Sequence, residues 1–449
     1  MGKGRPADFH HRAVCAESQR AEPGVPTPAK WAVRLNDSMA TSAQSINPFR
    51  ILTRHRNFRL FLTGQTISLV GTWMQQVATG WLALELSNDP FLVGLVSAAG
   101  TFPILLLSLP AGVLADRTEK LRVVRIAQTL MLFEASLLWW FAWSGHLTIH
   151  WLLSLALFGG ILAAFEIPAR QSLMIDLVVK EDLLDAIALN SGGFNLARIV
   201  GPSLAALVIA QLGIAWCFGF NALSYLAVLI GLALIKLPFT PRDPALVGHG
   251  TPFDGIREAM RYVRGDRVVW ILMRVVAVFS FLGIPVLTLM PVMARDHLQL
   301  NAGGYGALMM CFGAGALLGA LAIAASGGRL PRGIMLTISS LGFAVATIVF
   351  SLSSAPIFSG ALLFLIGIGM IINNALINGL LQERVPNALR GRVMSIYVMV
   401  YVGMNPIGSF VAGWVARQSS AAWAIGGMAS LMLIFAAWAF RRYPELRHA

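Results

Sequence analysis

FLVGLVSAAGTFPILLLSLPAGVLADRTEKLR, residues 91–122, contains the pattern from which the whole architecture follows. Its first part, 91–115, is apolar and uncharged, and crossing the hydrocarbon core of a bilayer takes about 20 such residues in a helix. The part that follows is basic, with Arg117, Lys120 and Arg122 close together. Because Lys and Arg favour the cytoplasmic side of short membrane loops, the stretch predicts a transmembrane helix that ends at the cytoplasm.

The same pattern continues along the chain in twelve apolar segments. Most of the 34 Lys and Arg residues lie in every second gap, whereas the other gaps hold only Arg295 and Arg417. The predicted spans are 58–84, 91–115, 121–143, 149–168, 186–211, 214–236, 268–291, 302–326, 333–353, 356–381, 393–416 and 420–440. We therefore predict an all-α integral membrane protein with twelve transmembrane helices and with both termini in the cytoplasm.

The composition excludes several classes of protein. Hydrophobic residues make up 57% of the chain and charged ones 12%, against about 25% charged in a soluble domain. The net charge of +13 would suit nucleic acid, but the cations lie at helix ends, where they meet anionic lipid. No ATP-binding phosphate loop, metal-binding helix motif or nucleophile turn occurs, and Cys15, Cys217 and Cys311 are scattered. We expect a bilayer as partner, no nucleic acid, no enzyme activity, no metal and no cofactor.

The chain has an internal repeat about a polar interval at 236–267 that divides the spans six and six. Matching positions are Gly94 with Gly306, Arg117 with Arg329, Lys120 with Arg332, Asp176 with Glu383, Arg198 with Asn405 and Gly201 with Gly408. Two pseudo-symmetric halves are typical of transporters that rock about a midplane site.

The sequence also predicts how the chain is divided. A disordered cytoplasmic leader at 1–46, whose true start is Met1 or Met39, precedes an N-terminal half at 47–236. A cytoplasmic linker with a surface helix at 237–267, a C-terminal half at 268–440 and a cytoplasmic tail at 441–449 follow.

The loop from Gly112 to Arg122 resembles the Gly-x-x-x-Asp-Arg-x-Gly-Arg-Arg signature of the major facilitator superfamily. The glycine would let two helices approach closely, and Asp116 could pair with cations across the bundle when the cytoplasmic side closes. Glu119 replaces the second glycine, and the second-half copy at 327–332 has no carboxylate, so we expect an asymmetric gate. The gate residues implied are Gly112, Asp116, Arg117, Lys120, Arg390 and Arg392. The alternative is that these charges only set the topology.

Span 5 resembles the Gly-rich motif of exporters in this superfamily, with Gly201 and Pro202 as a hinge or packing site. Residues 189–202 and 385–395 are similar to the enterobactin-exporter branch, which includes siderophore and macrolide exporters. The resemblance implies a monomeric, proton-coupled exporter of the bacterial inner membrane. An arginine often found in span 4 of drug/proton antiporters is absent from the predicted span.

Ionisable groups inside spans are costly and usually face the bundle interior. Arg198 lies mid-span, and Glu134 lies past the middle of span 3. Glu134 could bind and release a coupling proton, and Arg198, which keeps its charge, could hold an anionic substrate group. Either could instead be a structural ion-pair member. Glu166 and Arg274 lie nearer the cytoplasm, where gate pairing or snorkelling is expected.

Amide side chains form a second set of candidates for substrate contact. They are Gln65 and Gln76 of span 1, Asn195 of span 5, and Asn373 and Asn374 of span 10. Hydrogen bonds that merely hold the bundle together are an equally good interpretation.

The resulting hypothesis is a secondary active transporter that exports a small organic molecule, such as a siderophore, drug or metabolite, by alternating access. Alternatives are an importer of the same superfamily and a non-transporting receptor or assembly protein on this scaffold. A polar region between the halves would favour transport, and a dry apolar seam would favour the non-transporting protein.

Overall fold

The computed structural model describes residues 50–235, 252–326 and 331–446, and these are helical with no β-strand. The predicted leader and most of the linker lie outside the described residues. The long helices are α1 (Arg56–Ser87), α2 (Pro90–Arg117), α3 (Lys120–Trp143), α4 (Ile149–Asp176), α5 (Leu183–Leu212), α6 (Ala215–Leu234), α7 (Arg267–Val278), α8 (Ala302–Ser326), α9 (Arg332–Leu352), α10 (Pro356–Arg384), α11 (Asn387–Gln418) and α12 (Ala421–Arg442). We call the described residues 50–235 the N-half and the described residues from 252 onward the C-half.

Ten described helices are long and apolar enough to cross a membrane. The first and third predicted spans are also helices, of 32 and 24 residues. They are less apolar because α1 carries several amides and α3 begins with three cations. Shorter helices at Arg50–Arg54 and Pro252–Gly265 precede α1 and α7, where the linker prediction also places a surface helix.

Helix α4 corrects one predicted boundary. The predicted span ends at residue 168, but the helix continues to Asp176 with Pro168 inside it. A proline inside a membrane helix is tolerated because neighbouring groups satisfy the freed carbonyl. As a consequence Arg170, outside the predicted span, lies inside α4.

Helix α7 is interrupted. After Val278 the chain continues through a wide π-turn at Phe279–Gly283, short helical pieces that begin with Pro285 and Met290, and a second π-turn at Met293–His297. The proline at 285 removes an amide donor, which locally disrupts the regular helical bonding. The span that contains α7 is the most buried of the ten described spans, because 67% of its most apolar stretch lies inside the protein. This broken helix is therefore enclosed by the others.

The repeat seen in the sequence recurs as contacts. Lys120 at the start of α3 pairs with Asp176 at the end of α4, and Arg332 at the start of α9 pairs with Glu383 at the end of α10. Arg332 follows Lys120 by 212 positions (332 − 120), and Glu383 follows Asp176 by 207 (383 − 176). The same ion pair therefore joins equivalent helices in each half.

A second pair of contacts inside the halves is related by the same offsets of 212 and 207 positions. A Cβ added at Gly219 of α6 would lie 2.9 Å from Trp139 of α3, and one at Gly426 of α12 would lie 2.6 Å from Ser351 of α9. Gly426 follows Gly219 by 207 positions and Ser351 follows Trp139 by 212. Equivalent helices thus cross at equivalent residues, which gives a residue-by-residue alignment of the halves.

The two ends of the bundle differ in charge. We call the end with the Lys120 and Arg332 ion pairs the basic end and the opposite end, with Asp89, Arg295 and Arg417, the far end. The described ion pairs at the basic end all join residues within one half. Arg417 of α11 and Asp89 beside α2, 3.5 Å apart at the far end, pair across the halves.

The short helix before α1 is held by Asp182. His55 Nε2 lies 2.7 Å and Arg54 Nη1 3.1 Å from Asp182 Oδ2. The hydrogen bond with His55, together with the nearby charges of Arg54 and Arg50, holds the pKa of Asp182 below its ordinary value. Because this folded-state pKa is depressed, the contact contributes stability above the ordinary pKa of an aspartate and loses it as pH falls through the lowered value.

Asp182→Asn should loosen this short helix at neutral pH. The neutral amide loses its attraction to Arg54 and Arg50, so trypsin should cleave after Arg54 about twofold to threefold faster, the size expected for an exposed ion pair. Glu181→Gln, at an exposed neighbour, is the control. Equal cleavage of the two variants would show that Asp182 does not hold the helix.

Candidate functional site

The two halves meet through glycines toward the far end. A Cβ added at Gly94 of α2 would lie 2.5 Å from the Ser409 carbonyl oxygen of α11, and one at Gly306 of α8 would lie 2.5 Å from the Ala206 Cβ of α5. Such separations are too short for real side chains, so backbone approaches backbone closely at both crossings. Gly94 and Gly306, which are equivalent in the sequence repeat, therefore lie at equivalent crossings: α2 with α11 and α8 with α5.

At the basic end, Gly112 is not packed as expected. No atom of the described residues lies within 4 Å of a Cβ added there, and the same holds for Gly192 of α5 and Gly391 of α11. The expected close approach at Gly112 is thus absent from this arrangement, because the described contacts between the halves lie in the middle and at the far end.

Gly94→Leu should force the far end open. A side chain at this position costs about 1–3 kcal/mol of overpacking, so the far-open population should rise about tenfold. In a cysteine-free background carrying Ser97→Cys, a membrane-impermeant maleimide added at the far side reports the opening. Gly427→Leu, at an exposed glycine of α12 where no described atom lies within 4 Å of an added Cβ, is the matched control and should leave labelling unchanged. Equal labelling of both variants would contradict the role of this crossing.

Polar contacts also join the halves at the far end. Ser97 of α2 lies 3.3 Å from Thr288 after α7, which lies 2.9 Å from Ser409 of α11. Arg295 donates to the Asn88 side chain at 2.8 Å and to the Leu84 carbonyl at 3.2 Å. In the sequence Arg295 already stands out as one of the two cations in loops that otherwise lack Lys and Arg. Its hydrogen-bond partners could not be predicted.

Arg198 lies on α5, which packs against α1 of its own half and α8 of the other half. Its guanidinium carbon is 5.4 Å from the centre of the Trp73 ring, which Phe194 contacts edge-on at 5.9 Å. Tyr401 of α11 lies within electrostatic range of Arg198. Its Nε is buried and has no hydrogen-bond partner among the described residues. A cation held by an aromatic ring, with a free donor, can bind an anionic or carbonyl oxygen.

The C-half contributes hydroxyl and amide groups to the same region. Tyr397 and Tyr401 stack with ring centres 6.1 Å apart. Tyr397 donates to the Asn374 amide oxygen at 2.5 Å, and Asn374 donates to the Tyr401 hydroxyl at 3.3 Å. We call Trp73, Phe194, Arg198, Asn374, Tyr397 and Tyr401 the cross-half site. Sequence analysis named Arg198 and Asn374 but missed the two tyrosines, whose spacing of one helical turn was the available signal.

No described hydrogen bond joins the other amide candidates to this site. Asn373 is fully buried and donates to Ser340 of α9, and Asn195 donates to Ser191 of its own helix at 2.9 Å. Gln65 is 4% exposed, whereas Gln76 is exposed. Nothing in the described contacts brings these four amides together.

Glu134 lies inside the N-half, away from Arg198. The Gln75 amide of α1 donates to both Glu134 carboxyl oxygens at 3.3 Å, and Asn221 of α6 donates to the Gln75 carbonyl oxygen at 2.7 Å. Glu134 is 4% exposed, and no described cation pairs with it. A carboxyl group surrounded only by neutral groups is poorly solvated as an anion and well suited to carry a proton.

Glu166 differs from its prediction. It is buried inside α4 and accepts from Arg170 at 2.8 Å and from Gln128 of α3 at 3.0 Å. Gate pairing or snorkelling was expected, because Glu166 lies near the cytoplasmic end of the predicted span. The longer helix thus includes Arg170, whereas the predicted span contained no arginine.

The predicted gate residues do not form a described cluster across the halves. Lys120 pairs with Asp176 in the N-half, and Arg392 pairs with Glu258 in the C-half. Arg390 Nε is buried without a described partner. The side chains of Asp116 and Arg117 lie outside the described residues, so the gate stays a prediction for the arrangement closed at the basic end.

Comparison with known proteins gives the family. The family model described as transmembrane secretion effector matches residues 44–448. The chain belongs to this family. It is 26% identical over 356 residues to the staphyloferrin A transporter of Staphylococcus aureus, covering 79% of this chain and 88% of that protein. It is 25% identical to the enterobactin exporter EntS of Shigella flexneri, covering 81% of this chain and 86% of that protein. It is 27% identical to the multidrug efflux pump Tap of Mycobacterium tuberculosis, covering 79% of this chain and 85% of that protein.

Solved structures show the same fold. A bacterial homologue of the human lysosomal transporter Spinster, in an inward-facing and unoccupied conformation, has a TM-score of 0.68 at 14% identity, with 88% of this chain and 98% of that chain covered. A D-xylose-proton symporter has a TM-score of 0.67 at 15% identity, with 87% and 99% covered. The predicted major facilitator fold is confirmed. The chain is a secondary transporter of the inner membrane, with several membrane-spanning helices, and it is not an enzyme.

Proposed function

We propose that this transporter exports a small amphiphilic organic molecule with an anionic or carbonyl oxygen, driven by protons. The observation that carries the substrate chemistry is Arg198, which has a free buried Nε donor and lies on Trp73 within reach of the C-half. Aromatic rings and amides from both halves suit a ligand that needs stacking and hydrogen bonds. Export is supported by the names of two relatives, an enterobactin exporter and a multidrug efflux pump.

Glu134 is the proposed coupling residue. It is enclosed by neutral groups within the N-half, so its charge can change without breaking an ion pair. The substrate-binding arginine and the coupling carboxyl then occupy different places, which lets a monomer bind both ligands. Coupling between them passes through α1, which carries both Trp73 and Gln75.

The basic end is proposed to face the cytoplasm, with both termini on that side. Cations at this end follow the usual rule for cytoplasmic loops. The structure, with its halves joined at the far end, then corresponds to the state open to the cytoplasm. Alternating access would close the basic end through Asp116, Arg117 and their neighbours.

Transport in inverted membrane vesicles tests this proposal. The panel contains enterobactin, staphyloferrin A and antibiotics, and accumulation is measured with and without an imposed pH gradient. Accumulation of one compound that depends on the gradient supports proton-driven export. Movement only in the opposite direction would support the importer alternative. Absence of transport for the entire panel, with normally inserted protein, would favour a non-transporting membrane protein.

A further inference from the structure

The turn between α1 and α2, residues 88–89, meets two unusual cations at the far end. Arg295 and Arg417 are the cations of the loops that otherwise lack Lys and Arg, and both belong to the C-half. In the structure Arg295 contacts Asn88, and Arg417 contacts Asp89. Lys and Arg are normally scarce on the side of a membrane opposite to the basic loops. Two of them nevertheless meet a single turn of the other half, and the proposed function gives neither a role.

Arg295 binds the end of α1. Its Nη1 donates to the Asn88 side-chain oxygen at 2.8 Å and to the Leu84 carbonyl oxygen at 3.2 Å. The backbone of Asn88 has a φ of 49°, a left-handed conformation that asparagine adopts at helix ends more readily than most residues. A cation at the C-terminal end of a helix is favourable because it meets carbonyl groups that lack partners within the helix. Arg295 therefore attaches the C-half to the end of α1.

Arg417 meets the start of α2 from one face of α11. Phe410, Gly413 and Arg417 follow one another at spacings of three and four residues, so they share that face. The Arg417 Nε lies 3.5 Å from Asp89 Oδ2, and the Arg417 guanidinium carbon lies 6.0 Å from the centre of the Phe91 ring. Phe410 contacts Phe91 edge-on at 5.3 Å, and a Cβ added at Gly413 would lie 3.2 Å from the Phe91 Cα. The ion pair is therefore part of the close crossing of α2 with α11.

The equivalent crossing of α8 with α5 has no ion pair at these positions. The offsets of 212 and 207 positions lead from the ion pair and its aromatic neighbour to three small or uncharged residues, Asn301, Gly303 and Ala210. A Cβ added at Gly303 would lie 3.9 Å from the Ala210 Cβ, so these two positions also face each other in the structure. One of two equivalent crossings is thus closed by neutral groups. Close approach of the helices at the far end does not by itself require an ion pair.

Asp89 also caps α2, but capping does not require its charge. Asp89 Oδ1 accepts from the Phe91 backbone N–H at 2.9 Å. At the start of α8, Asn301 Oδ1 accepts from the Gly304 backbone N–H, also at 2.9 Å. Asn and Asp are about equally favourable as caps of a helix start. The negative charge of Asp89 therefore has a role beyond capping, and Arg417 is the described cation that pairs with it.

We propose that Arg295 and Arg417 hold the far end closed through the turn between α1 and α2. We call their contacts with Asn88, Leu84 and Asp89 the far-end latch. Both cations belong to the C-half and their partners to the N-half, so separation of the halves at this end breaks every contact of the latch. The described ion pairs at the basic end each lie within one half, so opening there breaks none of them. The latch thus stabilises the arrangement open at the basic end, and this inference rests on alternating access in the proposed function.

Cysteine labelling of the full chain in lipid vesicles tests the latch without any substrate. The reporter is Ser97→Cys in a cysteine-free background, and a membrane-impermeant maleimide is added at the far side. Asp89→Asn keeps the cap of α2 and removes the charge, so labelling should become about threefold faster, the size expected for a partly exposed ion pair. Arg417→Gln should give a similar increase. The double variant should show no further increase, because both changes remove the same contact.

The matched control is Glu85→Gln, which removes a carboxylate at an exposed position near the far end of α1. It should label at the rate of the reporter alone. Arg295→Met keeps an unbranched side chain but removes the donors to α1. Labelling should then become about tenfold faster, since a hydrogen bond from a charged group contributes more than an exposed ion pair.

Salt at the far side distinguishes an electrostatic latch from packing. Raising the salt concentration from about 0.01 M to about 1 M shortens the screening length from about 30 Å to about 3 Å. The reporter alone should then label about threefold faster, whereas the reporter with Asp89→Asn should respond little. An equal salt response of the two proteins would contradict the role of the Asp89 charge.

The outcomes separate the latch from the proposed transport cycle. Faster labelling of both single variants at residues 89 and 417, no further gain in the double variant and an unchanged control support it. Unchanged labelling of Asp89→Asn, Arg417→Gln and Arg295→Met, with faster labelling of Gly94→Leu, overturns the latch and leaves alternating access intact. Additive effects in the double variant overturn the pairing of Asp89 with Arg417. Unchanged labelling of every variant, Gly94→Leu included, overturns opening of the far end and with it both the latch and alternating access.

Discussion

Glu134→Gln should abolish proton-driven transport while exchange of substrate between equal pools continues. The amide keeps the size of the side chain and can still hydrogen-bond Gln75, so the helices should pack as before. It cannot take up a proton, however, so the variant lacks the group through which the pH gradient drives transport. We expect net accumulation in vesicles to fall about a hundredfold, whereas radiolabelled counterflow stays close to the wild-type rate.

The control is Glu85→Gln, which makes the same change at an exposed position of α1. It should transport with wild-type pH dependence. If Glu134→Gln retains the full pH dependence, coupling lies elsewhere, and Glu166 and Asp176 become the next candidates. If counterflow is lost together with accumulation, the variant is defective in substrate handling and Glu134 is not a dedicated coupling group.

Much of the fold could be predicted because hydropathy and charge act over whole helices. Lys120 was matched with Arg332, and Asp176 with Glu383, as equivalent positions of the repeat, and the structure pairs each of these cations with the carboxylate of its own half. Helix ends are fixed by where apolar runs stop and cations begin, so residues at equivalent helix ends of the two repeats make equivalent contacts.

The arrangement of the candidate site could not be predicted in the same way. Glu134 and Arg198 were considered together because both lie far from the membrane ends, yet they belong to different clusters. The depth of a residue in the bilayer follows from its position along the helix. The residues that it contacts, however, depend on which face of each helix points into the bundle. Sequence spacing alone does not fix that rotation when a helix is apolar on every side.

Glu166 shows a second limit of the sequence. Pro168 ended the predicted span, so Arg170 was assigned to a loop and the carboxyl was expected at the gate. In the structure the helix continues and the two residues pair one turn apart. Local propensity was overridden by packing of α4 against its neighbours, which satisfies the backbone group that the proline leaves free.

Arg198→Ala should weaken substrate binding itself. The guanidinium is the described cation at the cross-half site with a free buried donor, and a hydrogen bond to a charged group contributes about 2 kcal/mol. We therefore expect the Kd of the transported compound to rise about thirtyfold, with counterflow and proton-driven accumulation reduced together. Arg198→Lys should recover only part of the affinity, because an ammonium lacks the planar fork of donors that stacks on Trp73.

Arg274→Ala is the matched control for this change. Arg274 also lies on a tryptophan ring, with its guanidinium carbon 4.7 Å from the centre of Trp270, but it is exposed and belongs to α7. Its removal eliminates a cation–π contact of the same kind, worth about 0.5–1 kcal/mol at an exposed site, without touching the cross-half site. Equal effects of the two substitutions on Kd would mean that Arg198 only supports packing. A large loss confined to Arg198→Ala, with pH dependence of the residual transport intact, would separate substrate binding at α5 from proton binding at α3.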